Sequence, residues 1–233
     1  MADKHRLEAM LGSARFQKYY EAAAQDVDRA VDLYRWNTRL AGEFHAQLSY
    51  FEILLRNAMD SALRDWNFQE CGHRDWCVER QTAGLLYEMM STPLRQARKR
   101  ALRESKRRGL RTGVSHDDIL AQLTMGNWSN LLGEALPVHK SNAKVLWKVG
   151  LHRAFPNASS DDQSRKDIGR KVERLTRLRN RVAHQENLLK TNVRSRLHDM
   201  LSVLSAIDAS YPEWVMKGSQ VRKIVREDPR RQW

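Results

Sequence analysis

The sequence has few of the residues that stabilise small secreted domains or membrane proteins. It contains only two cysteines in 233 residues, Cys71 and Cys77, which excludes a disulfide framework and suits a reducing cytoplasm. No apolar run approaches the roughly 20 residues of a membrane-spanning helix, and the segment MADKHRLEAM has no apolar signal-peptide core. We therefore expect a cytoplasmic protein with no membrane partner, held together by a buried apolar core.

Acidic residues are outnumbered by basic ones. Lysine and arginine together number 41 against 28 aspartates and glutamates, which gives a formal net charge of +13 and a pI near 10.1. Such a surplus attracts polyanions and speeds their association with the protein. RNA, DNA and an anionic membrane are all compatible with this charge. The membrane is the least favoured, because the most basic segment has only a narrow apolar face.

Apolar residues recur at helical spacing along nearly the whole chain. The clearest case runs from about Asp26 to Trp66, where an apolar residue returns every three or four positions. No alternating run reaches convincing strand length, so we predict an all-α fold. The predicted core residues of this helix are Phe44, Leu48, Phe51, Leu55, Met59, Ala62 and Trp66.

The same spacing divides the rest of the chain. We predict an N-terminal helical extension over residues 1–25, one helical domain over 26–217, and a charged, mobile tail over 218–233. Ser115 should cap a helix, because its hydroxyl can accept a backbone N–H. Within the domain the motif helix is predicted from about Ser164 to Ala183, and a last long helix ends at Tyr211. A helix that begins at Ser141, before the motif helix, is predicted to bury Val145, Leu146, Val149 and Phe155.

Residues 93–112 form the most basic segment, which we interpret as a helical elaboration on the domain. Pro93 suits the first turn of a helix, and the predicted apolar stripe is narrow. Its members are Leu94, Ala97, Ala101 and Leu102. Nine cations oppose a single acid, Glu104, which exceeds what solubility needs and favours phosphate binding over a solvated face. The contacts to RNA predicted here are Arg95, Arg98, Lys99, Arg103, Lys106 and Arg107.

The segment RLTRLRNRVAHQENLL, residues 174–189, carries the groups that RNA cleavage needs. A ribonuclease that uses no metal has to move a proton from the ribose 2′-hydroxyl, stabilise charge on phosphorus and protonate the departing 5′-oxygen. An imidazole exchanges protons near neutral pH, and a guanidinium can hold two phosphate oxygens. The predicted catalytic residues are Arg179, Asn180 and His184. The same helix supplies Arg177 and Arg181 as further contacts to RNA.

The spacing of the motif restricts how its residues can meet. Positions five apart on an ideal helix point about 140° away from each other, so one continuous helix cannot direct Arg179 and His184 to one point. Either the helix frays near Ala183 and His184 turns back, or a second copy of the protein completes the site. A symmetric dimer would also bring together two histidines, one as base and one as acid. We therefore predict a homodimer.

Several segments carry a resemblance to a known family. RNRVAH at residues 179–184 matches the HEPN motif, in which an arginine and an adjacent polar residue precede a histidine. Three segments support it in the family's order: LSYFEILLRNAMDSAL at 48–63, MGNWSNLL at 125–132, and LWKVGLHRAF before the motif helix. From about Val27 to Tyr211 the chain resembles the Abi-like family of abortive-infection HEPN proteins. It departs from that family at Met125, where phenylalanine is usual, and in HQEN after the motif, although Glu186 is retained.

The resemblance implies a HEPN-type helical bundle, a dimer with the motif at a cleft between subunits, and RNA cleavage that needs no metal or other cofactor. It also implies a role in phage defence, or as a toxin under the control of an RNA or protein antitoxin. Glu52, Arg56 and Asn57 lie in the first family-like segment, and Glu52 and Arg56 are spaced to pair along a helix. We interpret these three residues and Glu186 as supporting residues rather than catalytic ones.

Other functions stay open on the sequence. A non-catalytic RNA-binding or regulatory HEPN protein would need the same cations and the same fold. A DNA-binding helical protein is less favoured, because no convincing helix-turn-helix occurs. Cys71, His73 and Cys77 recur at close spacing, but a structural zinc site needs four ligands and no second pair is present.

Overall fold

The computed structural model of the chain describes residues 3–109 and 113–233, and every regular element in this part is a helix. The all-α prediction is therefore confirmed. The α-helices are α1 (Lys4–Leu11), α2 (Ser13–Ala22), α3 (Val27–Cys71), α4 (Gly84–Arg107), α5 (His116–Leu120), α6 (Met125–Leu131), α7 (Lys140–Val149), α8 (Asp162–Ala183), α9 (Val193–Ile207), α10 (Tyr211–Met216) and α11 (Val221–Arg226). Short 3-10 turns cover Pro137–His139, Leu151–Ala154 and Pro229–Arg231. None of these described helices is long and apolar enough to cross a membrane.

Helix α3 is a single helix of 45 residues. The seven apolar residues predicted as its core, from Phe44 to Trp66, are all buried. Neither Asn37 nor Gly42 interrupts it. The apolar stripe at steps of three and four is therefore enough to specify the helix, since burial of that stripe outweighs the unfavourable propensity of one glycine.

The start of the basic helix differs from the prediction. We expected Pro93 in the first turn, whereas α4 begins at Gly84 and carries Pro93 in its interior. Leu86, Met89 and Met90 are buried and extend the apolar stripe backwards, so packing outweighs the one backbone hydrogen bond that proline removes. Residues 110–112, which include Arg111 at the end of the predicted segment, lie outside the described residues.

Three residues predicted to be buried lie at the surface. Leu102 of α4 is 44% exposed, and Val145 and Val149 of α7 are 50% and 38% exposed. Leu102 stands next to the buried Ala101, and Val145 next to the buried Leu146. Neighbours in sequence point about 100° apart on a helix, and at these positions the buried face includes Ala101 and Leu146 but not Leu102 and Val145.

The chain divides into two compact units. Unit 1 contains the described residues up to Ser49 together with Leu178–Arg194 and Val215–Trp233. Unit 2 contains the described residues of Tyr50–Arg177 and Ser195–Trp214. The Arg179-to-His184 motif belongs entirely to unit 1, and the basic helix α4 belongs to unit 2.

Unit 1 includes the C-terminal segment, which the sequence predicted to be a mobile tail. That prediction is wrong where residues 221–226 form α11 and bury Val221 and Ile224. The indole Nε1 of Trp36 donates to the carbonyl of Ile224 at 2.7 Å. Arg39 forms an ion pair with Glu227 at 2.7 Å. The segment therefore packs against the N-terminal half of α3.

Unit 2 contains a buried polar cluster around Asp60 of α3. Its Oδ1 accepts hydrogen bonds from the indole of Trp76 at 2.8 Å and from Nε2 of His116 at 2.9 Å. The other ring nitrogen of His116 accepts the backbone N–H of Cys77 at 3.4 Å. One carboxylate therefore joins α3, the loop after it and α5, with its buried donors satisfied.

A second polar anchor in unit 2 is Arg165, whose side chain is 1% exposed. Its guanidinium donates to the carbonyl of Leu132, to Glu134 at 3.3 Å and to Asp162 at 2.7 Å. Gly133 lies beneath it with φ of 77°, and a Cβ there would meet the Cβ of Ala143 at 2.5 Å. Glycine is therefore required immediately after the MGNWSNLL segment.

Candidate functional site

Helix α8 positions the predicted catalytic residues and ends one residue before His184. Its last residue is Ala183, and the backbone N–H of His184 still donates to the carbonyl of Asn180 at 2.9 Å. The chain therefore keeps its helical course through the motif, and Arg179 and His184 point about 140° apart around the helix axis. The arrangement in which His184 folds back onto Arg179 is not observed. The arrangement with a second copy stays a prediction.

The backbone reverses immediately after His184. Gln185 has φ of 57°, and its N–H donates to the carbonyl of Val182 at 3.1 Å. The N–H of Glu186 donates to the carbonyl of Arg181 at 2.9 Å. These two bonds define a Schellman motif, which usually carries glycine at the left-handed position. They determine where the chain leaves the helix and so where the backbone of His184 lies.

The accessibility of the motif suits contact with a large ligand. His184 and Asn180 are exposed, and Arg179 is half-buried. An exposed imidazole at a helix end can be reached by a polynucleotide, whereas one enclosed in the bundle could not. Arg177, on the same helix, is also exposed and pairs with Glu173.

Cationic side chains hold the first part of the loop after the motif. The guanidinium of Arg15 in α2 donates to the carbonyl of Gln185. Arg181 donates to the carbonyl of Asn187 at 2.6 Å and lies 3.5 Å from the carboxylate of Glu186. Two arginines therefore satisfy carbonyl groups beyond the end of α8, where a helix end carries partial negative charge. Arg181, predicted as a contact to RNA, and Glu186, predicted as a supporting residue, contact each other.

Buried polar contacts hold the second part of this loop. Asn37 of α3, 4% exposed, accepts the backbone N–H of Leu188 at 2.7 Å through its side-chain oxygen. Arg230 donates to the carbonyl of Leu189 at 3.1 Å, and its guanidinium lies 5.5 Å from the ring centre of Trp36. The loop is thus anchored by residues far from it in sequence.

A cleft of about 450 Å³ lies beside the motif, between α3 and the end of α8. Its volume falls within the usual range of small-ligand sites, roughly 300–1,000 Å³. The α8 side is formed by residues that flank His184 in sequence, and the α3 side carries an exposed histidine, His45. The residues that line the cleft are Thr38, Ala41, Gly42, His45, Val182, Ala183 and Gln185. Small side chains on both helices leave it open.

The supporting residues predicted on α3 belong to unit 2. Glu52 and Arg56 are half-buried, and the Nε of Arg56 donates to the side-chain oxygen of Asn57 at 3.3 Å. Their predicted role in orienting catalytic groups stays a prediction.

The cations predicted to contact RNA on α4 fall into two groups. Arg98 is half-buried and donates to the carbonyl of Cys77 at 2.7 Å, and Arg107 pairs with Glu104 at 2.9 Å. Arg95, Lys99, Arg103 and Lys106 are exposed. The two groups therefore differ in how freely their charges can meet a ligand.

What this site binds has to be inferred from its own residues. No family model, curated protein or solved structure matches this chain. The motif and the geometry around it therefore carry the assignment of function.

The sequence patterns did not identify three residues of the site. His45 carries no motif, and only the approach of α8 gives it a place in the cleft. Arg15 and Arg230 contact the loop from sequence separations of 170 and 41 residues. The signal available was limited to the position of His45 on the outer face of α3, away from the apolar stripe that includes Phe44 and Leu48.

The two cysteines stand in different surroundings. Cys71 is exposed and Cys77 is buried, and both thiols are free. Burial raises the pKa of the Cys77 thiol well above its usual range, which makes it a poor nucleophile and a poor metal ligand. Among residues 3–109 and 113–233, no group of three or more His, Cys, Asp or Glu side chains is arranged to hold a metal ion.

Proposed function

We propose that this chain is an endoribonuclease of the HEPN type that cleaves RNA through the ribose 2′-hydroxyl, with Arg179, Asn180 and His184 as its catalytic residues. The observation that carries the proposal is the exposed His184 imidazole at the end of a cationic helix, beside an open cleft. The proposal uses groups of the protein alone, because an imidazole and a guanidinium supply the proton transfers and the charge stabilisation that the reaction needs.

The proposed reaction has two coupled proton transfers. A neutral imidazole takes the proton of the 2′-hydroxyl, and the 2′-oxygen attacks phosphorus. The bond from phosphorus to the 5′-oxygen breaks, and an imidazolium protonates that oxygen. The products are a 2′,3′-cyclic phosphate and a 5′-hydroxyl. Arg179 stabilises the negative charge on the phosphoryl oxygens during attack, and Asn180 orients the phosphate or the imidazole.

The second imidazole comes, in this proposal, from a second copy of the chain. Arg179 and His184 of one copy diverge around the helix axis, so a phosphate held by one arginine is better placed for the histidine of another copy. The cleft beside His184 offers room for a base next to the cut bond. Its walls combine apolar side chains with the hydroxyl of Thr38 and the amide of Gln185, a mixture typical of small-ligand sites.

Single substitutions test the catalytic assignment. We expect His184→Ala to lower the rate of RNA cleavage by about 10²-fold or more, because general acid–base catalysis is lost, while binding of RNA is retained. The measurement is cleavage of an end-labelled RNA under single-turnover conditions. The matched control is His198→Ala, which removes an exposed histidine of unit 2. Equal cleavage by the His184 variant and the control would sink the assignment.

Mixing the wild type with the inactive His184→Ala variant tests the composite site. If one site needs His184 from both copies, mixed dimers are inactive, and an equal mixture keeps about a quarter of the activity of the same total amount of wild type, because about a quarter of its dimers carry two histidines. If instead His45 supplied the second imidazole within one copy, His45→Ala would abolish cleavage and the equal mixture would keep about half of the activity.

The nature of the nucleophile is testable in the substrate. A single 2′-deoxy substitution at the cut nucleotide should abolish cleavage there, and DNA of the same sequence should resist altogether. Cleavage at the substituted position would contradict the mechanism.

The proposed biological role is phage defence by abortive infection, or a toxin under RNA or protein control. The second candidate is a non-catalytic RNA-binding or regulatory HEPN protein, favoured by the same basic surface. Retained RNA binding without cleavage by the wild-type protein would support it.

A further inference from the structure

Helix α4 carries cations that are already engaged within the protein. Arg98 donates to the carbonyl of Cys77, and Arg100 donates to the carbonyl of Gln122 at 2.9 Å. At the end of the helix Arg107 and Arg108 both contact Glu104 at 2.9 Å. The hydrogen bond from Arg107 is the main cause that lowers the pKa of Glu104. These four arginines therefore have structural partners.

The other four described cations of the segment differ in this respect. Arg95, Lys99, Arg103 and Lys106 are exposed, and none has an ion pair or hydrogen bond with another of the described residues. Steps of four, four and three residues bring them within about 80° on one side of the helix, over a length of about 17 Å. Leu94, Ala97 and Ala101 are buried on the opposite side. We name these four residues the cation stripe.

The cation stripe has an electrostatic cost in the isolated protein. Like charges three or four residues apart on a helix repel each other. A ligand with a regular row of negative charges would remove this repulsion. One strand of nucleic acid presents about one phosphate per 3.4 Å of helix axis, so about five phosphates lie along 17 Å.

Other partners fit the cation stripe less well. Binding to a membrane surface requires a bulky apolar face, and between Arg95 and Arg107, all of them described residues, the one large exposed apolar side chain is Leu102. The centre of a protein interface is depleted in lysine and enriched in aromatic residues, and this face of α4 has two lysines and no aromatic side chain.

We infer that Arg95, Lys99, Arg103 and Lys106 form a docking surface for the phosphate backbone of a nucleic acid, separate from the motif residues in function. The inference rests on the proposed function in taking RNA as that nucleic acid. The surface contacts phosphates rather than bases, so it holds the strand without reading its sequence. The engaged arginines of α4 maintain the helix and contribute little to binding.

The test compares two charge-matched double variants in a His184→Ala background, where RNA stays intact. Lys99→Gln with Lys106→Gln removes two members of the cation stripe, and Arg100→Gln with Arg108→Gln removes two engaged cations. The binding constant for a labelled 20-nucleotide RNA is measured by fluorescence anisotropy between 50 and 200 mM salt. Each lost phosphate contact should reduce the salt slope by about 0.7. The stripe variant should therefore lose about 1.4 in slope and more than about tenfold in affinity at 100 mM salt.

The control variant should keep the slope and the affinity close to those of the parent. Equal losses in the two variants would show a mere effect of net charge and overturn the inference, as would unchanged binding by the stripe variant. Binding to DNA of equal length should fall by the same factor, because phosphates are shared. If the stripe variant instead loses binding to anionic vesicles or to an acidic polypeptide and keeps binding to RNA, the surface has another partner.

The outcome is separable from that of the proposed function. Cleavage is measured on the wild-type protein and on Arg179→Ala, and binding on the stripe variants. A chain that binds RNA through the cation stripe and never cuts it leaves the docking surface standing and removes the nuclease. If the wild type cuts RNA but the stripe variants bind RNA like the parent, the nuclease proposal stands and the docking surface is refuted.

Discussion

Gln185 occupies a backbone conformation that most helix ends give to glycine. Its φ of 57° costs a side-chain-bearing residue about 1–2 kcal/mol, and the bond from Arg15 to its carbonyl helps to hold the strained turn. The side chain of Gln185 lines the cleft beside the motif. Strain at such a position is consistent with a side chain retained for contact with a ligand.

Asp162 is a residue whose charge contributes to stability in unit 2. The hydrogen bond from Arg165 is the main cause that lowers its pKa from 3.8 to about 2. A carboxyl group with a lower pKa in the folded state stabilises the fold fully above about pH 4, and the effect disappears as pH falls through about 2. We expect the free energy of unfolding to fall more steeply across this range in the wild type than in Asp162→Asn, as measured by denaturant titration at each pH.

The control for this measurement is Asp32→Asn. Asp32 lies in unit 1 in an exposed contact with Arg35 at 3.9 Å, so its substitution makes the same charge change without a buried partner. Parallel pH profiles for the wild type and the Asp162 variant would contradict the assigned role of Arg165.

Gly42 of α3 lines the cleft, and packing does not require a glycine there. It lies in the interior of α3, and a Cβ built on it would meet nothing within 4 Å. We expect Gly42→Ala to raise the free energy of unfolding by about 0.5–1 kcal/mol, because alanine is the better helix former. Gly42→Phe should keep the fold, fill the cleft and lower RNA cleavage. Ala46→Phe, one turn further along the exposed side, is the matched control.

These variants separate stability from activity. Thermal unfolding reports the helix, and single-turnover cleavage reports the cleft. If Gly42→Phe cuts RNA as fast as Ala46→Phe, the cleft has no part in the reaction.

The sequence was most informative for elements with a continuous apolar stripe. The stripe of α3 and the cap by Ser115 at α5 are both confirmed, since each depends on neighbours three or four residues away. The predicted start of α4 is wrong because Pro93 is a local signal that packing outweighs. The predicted burial of Leu102 is wrong because periodicity alone does not show where a narrow apolar stripe ends.

Features that depend on long-range contacts could not be predicted from the sequence. The end of α8 near Ala183 was predicted, whereas the anchoring of the following loop by Arg15, Asn37 and Arg230 depends on residues remote in sequence. The same holds for α11, whose two buried residues lie in a highly charged stretch. Such contacts leave no periodic signal in a single sequence.

At the scale of the whole molecule, unit 1 is assembled from three separate stretches of chain. The buried Ile224 of α11 lies against Trp36, whose neighbour Asn37 holds the loop after the motif. We expect Ile224→Asp to destabilise the protein by about 3 kcal/mol or more, since a charge would be buried without a partner. Hydrogen exchange at the amide of Leu188 should then accelerate.

Lys223→Asp is the control for this variant, because Lys223 is exposed on the same helix. It changes the charge of α11 without burying it. If the Leu188 amide exchanged its hydrogen as slowly in Ile224→Asp as in Lys223→Asp, α11 would be dispensable for the loop after the motif.

The order of synthesis gives this three-stretch assembly a consequence in time. A ribosome releases the Arg179-to-His184 segment before residues 215–233, which the finished unit requires. On the nascent chain the loop after His184 lacks its contact with Arg230, and Trp36 lacks its acceptor in Ile224. Unit 1 is therefore complete, with the loop after His184 in its final contacts, only after residues 215–233 have been translated.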